Sequence, residues 1–102
     1  MAHFVKVATT DELESGQCRT VRANGKIIAL YNVDGTYYAT DDTCSHNGGP
    51  LGEGTLEGTT ITCPWHHWQY DVATGQMKVN ASTRIDTYAV RVEGNDVLVD
   101  VE

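Results

Sequence analysis

The sequence predicts an all-β fold, a small barrel or sandwich, on three observations. Apolar and polar residues alternate along several short runs, turn signals rich in Gly, Asn and Asp separate those runs, and no helical periodicity is sustained anywhere. Alternation sends successive side chains to opposite faces of a strand, so each such run can bury one face and solvate the other. Two-residue turns such as Asn-Gly carry the backbone twist that joins neighbouring antiparallel strands.

The elements follow in chain order. "HFVKVA" (3–8) alternates and predicts a first strand, after which Thr10-Asp11-Glu12-Leu13 can cap a brief helical turn. "CRTVRA" (18–23) and "KIIALYNV" (26–33) flank Asn24-Gly25, a strong hairpin signal, and Asp34-Gly35 starts the next turn, into "TYYAT" (36–40). Further on, "QYDV" and "QMKV" flank the turn Ala73-Thr74-Gly75. The last hairpin pairs "TYAVRVE" with "VLVDV" around Gly94-Asn95-Asp96, and places Val90, Val92, Val97, Val99 and Val101 at alternating inward positions. There is no repeat and no low-complexity tract.

Length and charge bound the function. A chain of 102 residues makes one domain, 1–102, with a modest core. Seven Lys and Arg against 14 Asp and Glu give a formal charge of −7, which excludes unaided binding to nucleic acid or to an anionic membrane. Such a surface is steered instead towards a basic patch on another protein. "MAHFVKVATTDEL" shows no basic segment followed by an apolar one, and no run nears the ~18 apolar residues of a membrane span. The expectation is a soluble, cytoplasmic protein. Three cysteines, an odd number, argue against a disulfide framework, and Cys18 reads as a half-buried small hydrophobe on its strand.

The chemistry is concentrated in "CSHNGGPLGEGTLEGTTITCPWHHWQYD", Cys44 to Asp71, which holds two of the three cysteines and three of the four histidines. Cys44-x-His46 is followed by sixteen residues and then Cys63-x-x-His66, with a hairpin-like segment to bring the two pairs together. Gly48, Gly49, Gly52, Gly54 and Gly58 allow tight turns and a close backbone approach to a cofactor, and Pro50 and Pro64 stiffen the loops. No phosphate-binding glycine motif is present. Two Cys and two His can make a tetrahedral structural zinc site, the main competing reading and one that implies an interaction module. Zinc fingers usually pair Cys with Cys and His with His, whereas here each loop offers one of each. The mixed pairing suits a two-iron cluster with both Cys on one iron and both His on the other.

"CSH" at 44–46 and "CPWH" at 63–66 resemble the cluster-binding motif of Rieske proteins, C-x-H-x(15–17)-C-x-x-H. "GGPLGEG", "QYDVATG" and the closing "YAVRVEGNDVLVDV" extend the resemblance to soluble Rieske-type ferredoxins over essentially the whole chain. The resemblance implies three small antiparallel sheets and a two-loop cluster-binding subdomain at about 42–73. It implies one [2Fe–2S] cluster per chain, with Cys44 and Cys63 on the buried iron and His46 and His66 on the outer iron through Nδ1. Neutral imidazole donates less charge than thiolate, so an added electron is less repelled and the potential rises above that of all-Cys clusters.

The family usually has Gly after the second ligand His, where this chain has His67. His67 is therefore an exposed imidazole beside the cluster, on a backbone that departs from the family if positive φ is needed there. Trp65 and Trp68 bracket the outer ligand and can pack as a lid or, with His67, form a docking surface. Tyr70 is a tuning candidate, because quinol-oxidising relatives have a Tyr there that hydrogen-bonds a ligand sulfur. Those relatives also carry a serine donor and two further cysteines, at positions that are Gly49, Trp65 and Trp68 here. An oxygenase catalytic subunit would need a second iron site, and only His3 and His67 remain to build one. The resemblance thus implies a non-enzymatic one-electron carrier, a monomer, between a flavin-dependent ferredoxin reductase and a terminal ring-hydroxylating oxygenase. The alternative within the family is a small subunit of a larger reductase, such as assimilatory nitrite reductase.

Overall fold

The computed structural model describes residues 3–43, 50–65, 67–78 and 83–101. In chain order the strands are β1 (Phe4–Thr9), β2 (Cys18–Ala23), β3 (Lys26–Val33), β4 (Thr36–Asp41) and β5 (Thr55–Glu57). They continue with β6 (Thr60–Thr62), β7 (Gln69–Asp71), β8 (Thr87–Tyr88), β9 (Val90–Glu93) and β10 (Asp96–Asp100). These form three antiparallel sheets, ordered β1-β10-β9, β2-β3-β4-β8 and β5-β6-β7. The first two sheets enclose one core, so the sandwich expectation holds for that half, while the third sheet is an addition that a barrel or two-sheet sandwich does not include.

The hairpins form where the turn chemistry demands. Asn24 and Gly25 have φ of 51° and 83°, and Asp34 and Gly35 have 50° and 90°, so each pair has the two positive φ values of a type I′ turn. Strand β3 is the keel of the molecule. Ile28 and Leu30 enter the core shared with Val97, Val99 and Val101, whereas Ala29 and Tyr31, on the opposite face, join Leu51, Ile61, Cys63, Tyr70, Val72 and Ile85. That is why "IALY" (28–31) reads as an unbroken apolar run, since both of its faces are buried, while Ile27 at the start of the strand is 45% exposed. Each large side chain fully buried this way contributes about 1.5–3 kcal/mol.

At the start of the chain, Thr10–Glu12 form a single 3₁₀ turn. The Thr9 N–H donates to Glu12 Oε1 at 2.8 Å, and this hydrogen bond is the main cause holding the Glu12 carboxyl below its ordinary pKa.

The structure corrects several local expectations. "TYAVRVE" is not one strand. It breaks at Ala89, β8 pairing with β4 (Thr87 opposite Thr40, Tyr88 opposite Ala39) while β9 pairs with β10. The Tyr88 hydroxyl donates to Asp41 Oδ1 at 2.5 Å, holding β8 to the second sheet. Val92 faces Val97 across the pair yet is 45% exposed, because β9 is an edge strand whose far end runs past the core. In the described part of "QMKV", 76–78, the pairing consists of isolated bridges, Tyr70 with Met77 and Gln76 with Arg84. No helix among the described residues is long and apolar enough to cross a membrane.

Candidate metal centre

The expected ligands fall in two segments, one following the second sheet and one within the third, and each segment is closed at its base. The first lies between Thr43 and Pro50, which face each other in an antiparallel bridge, and just inside the fold the Leu51 N–H donates to the Asp42 carbonyl at 2.6 Å. The second continues the β6–β7 hairpin, in which Thr62 faces Gln69, and there the Cys63 N–H donates to the Trp68 carbonyl at 2.7 Å. Leu51, at the foot of the first loop, and Cys63, in the second, belong to the same buried cluster. The fold therefore roots both loops on one apolar floor.

Of the expected ligands, Cys44, His46 and His66 lie outside the described residues, and Cys63 lies within them. Cys63 is fully buried on that apolar floor. A soft sulfur withdrawn from water at the base of a closed loop is a donor that suits a buried iron. Cys18 has a different setting. It is half-buried, its S–H donates to the Gly54 carbonyl at 3.5 Å, and burial first, then the nearby Asp42 charge, push its thiol pKa up. It stays protonated at neutral pH and packs as the small hydrophobe the sequence suggests.

His67 has φ of +59° and is exposed. The position does require the left-handed region, where the family's usual glycine would sit without strain. His is among the side chains that tolerate that region best, so the chain can display an imidazole at this position. Trp65 is 51% exposed, whereas Trp68 is half-buried and packs against the floor. Tyr70, opposite Ile61 in β7, is wholly buried, so its hydroxyl is out of solvent.

The glycines correct the expectation that they approach a cofactor. A Cβ on Gly52 would lie 2.4 Å from Thr20 Oγ1 and 2.5 Å from the Thr20 backbone nitrogen, and one on Gly54 would lie 2.1 Å from the Thr62 carbonyl oxygen. Both are glycine so that the segment after the first loop can press against β2 and β6. Gly58, at φ +58° with open space around it, serves the β5–β6 turn, and Gly48 and Gly49 lie outside the described residues. Sequence reasoning passed over Asp42. It is 5% exposed, and its Oδ1 accepts from the Gly52 N–H at 2.8 Å and from the Thr20 hydroxyl at 2.9 Å. The available signal was a carboxylate two residues ahead of Cys44, just past the end of β4.

Comparison with known proteins agrees with this arrangement. A family model described as the Rieske [2Fe–2S] domain matches residues 3–89. The chain is 39% identical, over 98% of its length and 97% of the relative's, to the ferredoxin component of the naphthalene 1,2-dioxygenase/salicylate 5-hydroxylase systems of a Ralstonia species. The ferredoxin of carbazole 1,9a-dioxygenase from Nocardioides aromaticivorans IC177 superposes with a TM-score of 0.92 at 28% identity, covering 99% of this chain and 100% of that one. A chain in the complex of reduced oxygenase and oxidised ferredoxin of carbazole 1,9a-dioxygenase superposes with a TM-score of 0.89 at 34% identity, covering 97% of this chain and 94% of that one. The structural-zinc reading falls with these matches, and the chain belongs to the Rieske [2Fe–2S] family as a ferredoxin, a carrier of electrons and not itself an enzyme.

Proposed function

We propose that this ferredoxin receives one electron from a flavin-dependent reductase and delivers it to a terminal oxygenase of the ring-hydroxylating type. In this reading Cys44, His46, Cys63 and His66 hold the cluster, within a subdomain at about 42–73 of a single domain, and the carrier works as a monomer in the cytoplasm. The observation that carries it is similarity along nearly the whole chain to the ferredoxin component of a dioxygenase system. When bound, the [2Fe–2S] cluster takes up and returns one electron at a potential raised by its imidazole ligands.

The chain's own residues divide the remaining work. Cys63 and its floor of Leu51, Ile61 and Val72 keep water from the inner side, and the bond from Cys63 N–H to Trp68 carbonyl fixes the second loop. On the outer side of that loop, Trp65 and His67 are exposed and form a surface on which a partner can seat itself. The formal charge of −7 steers the carrier towards basic surfaces.

Stopped-flow mixing of the reduced protein with a purified terminal oxygenase and its aromatic substrate tests this. Reoxidation of the ferredoxin together with hydroxylated product is expected, with a rate that falls as added salt shortens the screening length below about 10 Å. Failure to reduce any such oxygenase, together with stable association with a large nitrite-type reductase, would favour the subunit reading instead.

Tyr70 gives a second test. Its hydroxyl, buried in the cluster that also holds Cys63, is the candidate donor to a ligand sulfur. One hydrogen bond that favours the reduced state by about 1 kcal/mol corresponds to roughly 40 mV, given ~59 mV per tenfold for one electron. Tyr70→Phe is expected to lower the midpoint potential by tens of millivolts with iron content unchanged. An unmoved potential would make Tyr70 a packing residue.

A further inference from the structure

We infer that Asp42 is a positioning residue, a clamp that closes the base of the first loop and fixes how the donors on that loop are presented. The inference rests on the ligand reading given above and adds a residue outside the ligand set. Its basis is that one buried residue ties together three separate segments. The Asp42 backbone N–H donates to the Ile27 carbonyl of β3 at 3.3 Å, and its carbonyl accepts from Leu51 N–H at 2.6 Å. Its side-chain Oδ1 accepts from Gly52 N–H at 2.8 Å, beyond the far end of the loop, and from Thr20 Oγ1 of β2 at 2.9 Å.

Residues 42 and 51–52 are therefore joined by both main-chain and side-chain bonds, on either side of the Thr43–Pro50 bridge. The joint has no slack on its β2 side, because even one methyl group on Gly52 would collide with Thr20. A loop whose two ends are held this closely has few ways to tilt, and small tilts matter to a metal site whose donors must converge. Buried in this setting, a carboxylate oxygen that lost either donor would be left short of a partner, which costs more than the same loss at the surface. The acceptor oxygen is what the clamp needs. An amide oxygen in the same place can accept both bonds.

The test uses the cluster-loaded protein and three variants, Asp42→Asn, Asp42→Ala and Thr20→Val. Three quantities are read: the rate of iron loss to a chelator, the line shape of the reduced-state EPR signal, and amide exchange in the β1-β10-β9 sheet. Asp42→Ala is expected to release iron at least tenfold faster and to broaden the EPR signal, with exchange in the distant sheet unchanged. Asp42→Asn is expected to stay within about threefold of the parent, and Thr20→Val, which removes one of the two donors, to fall between. If Asp42→Ala yields no folded protein, Thr20→Val decides, and parental release from that variant overturns the clamp. Parental release and an unbroadened signal in Asp42→Ala also overturn it, as does an Asn variant as damaged as the Ala one. A protein that never retains iron would refute the ligand reading, whereas a loaded protein indifferent to Asp42 would refute only the clamp.

Discussion

Cys63→Ala is expected to give a folded, colourless protein that holds neither iron nor sulfide. The fully buried sulfur sits on the floor formed by Leu51, Ile61, Tyr70 and Val72, whereas Cys18 packs at the edge of the same cluster and is only half-buried. The one other described cysteine, Cys18, has its thiol pushed up in pKa and engaged with the Gly54 carbonyl, so it is a poor substitute. Removing one sulfur atom from a packed floor costs the fold on the order of 1–2 kcal/mol, too little to unfold most domains. Iron and acid-labile sulfide assays, with the visible spectrum, measure the outcome. Full cluster content in this variant would remove Cys63 from the ligand set.

The second large effect is expected from Gly54→Ala. Gly54 has φ of −82°, which any residue can adopt, so backbone strain is not at issue. The added methyl would lie 2.1 Å from the Thr62 carbonyl oxygen and 3.2 Å from that of Leu51. Neither oxygen can give way cheaply, because Thr62 pairs with both Thr55 and Gln69, and Leu51 accepts from the Gly54 N–H at 3.0 Å. Overpacking of this kind costs about 2 kcal/mol. For a domain of this size that lowers the melting temperature by roughly 10 °C. The displaced atoms belong to the residue before Cys63 and to the foot of the first loop, so faster loss of iron should accompany the lower midpoint. Thermal melts of the loaded protein, followed by visible absorbance and by far-ultraviolet circular dichroism, measure both. A midpoint within 2 °C of the parent would mean that the contact relaxes without cost.

What the sequence made legible follows from the range over which each signal acts. Asn24-Gly25 and Asp34-Gly35 announce their turns because a type I′ turn is decided by two adjacent residues, and both are found as expected. The mixed Cys and His spacing is equally local, and it points to the family by itself. Gly52 and Gly54 were misread because a glycine required by close backbone contact looks the same whether the neighbour is a cofactor or another strand. Val92 was misread because alternation assigns a face of a strand and not how far along that face the core extends. The break at Ala89 depends on Asp41 and β4, nearly fifty residues earlier, with Tyr88 and Asp41 47 positions apart. Asp42 was invisible for the same reason, since its partner Thr20 lies 22 residues away. At His67 the sequence showed only the departure from glycine, and the φ of +59° supplied its meaning.

The central claim is that two imidazoles and two thiolates share a [2Fe–2S] cluster that carries one electron. Pulsed EPR of the reduced protein, prepared with ¹⁵N-labelled histidine, addresses it most directly. The account predicts two inequivalent, strongly coupled histidine nitrogens, one lost in each of His46→Ala and His66→Ala along with the signal's integrity, and both retained in His67→Ala. No nitrogen coupling, or couplings that survive at His66→Ala and vanish at His67→Ala, would contradict it.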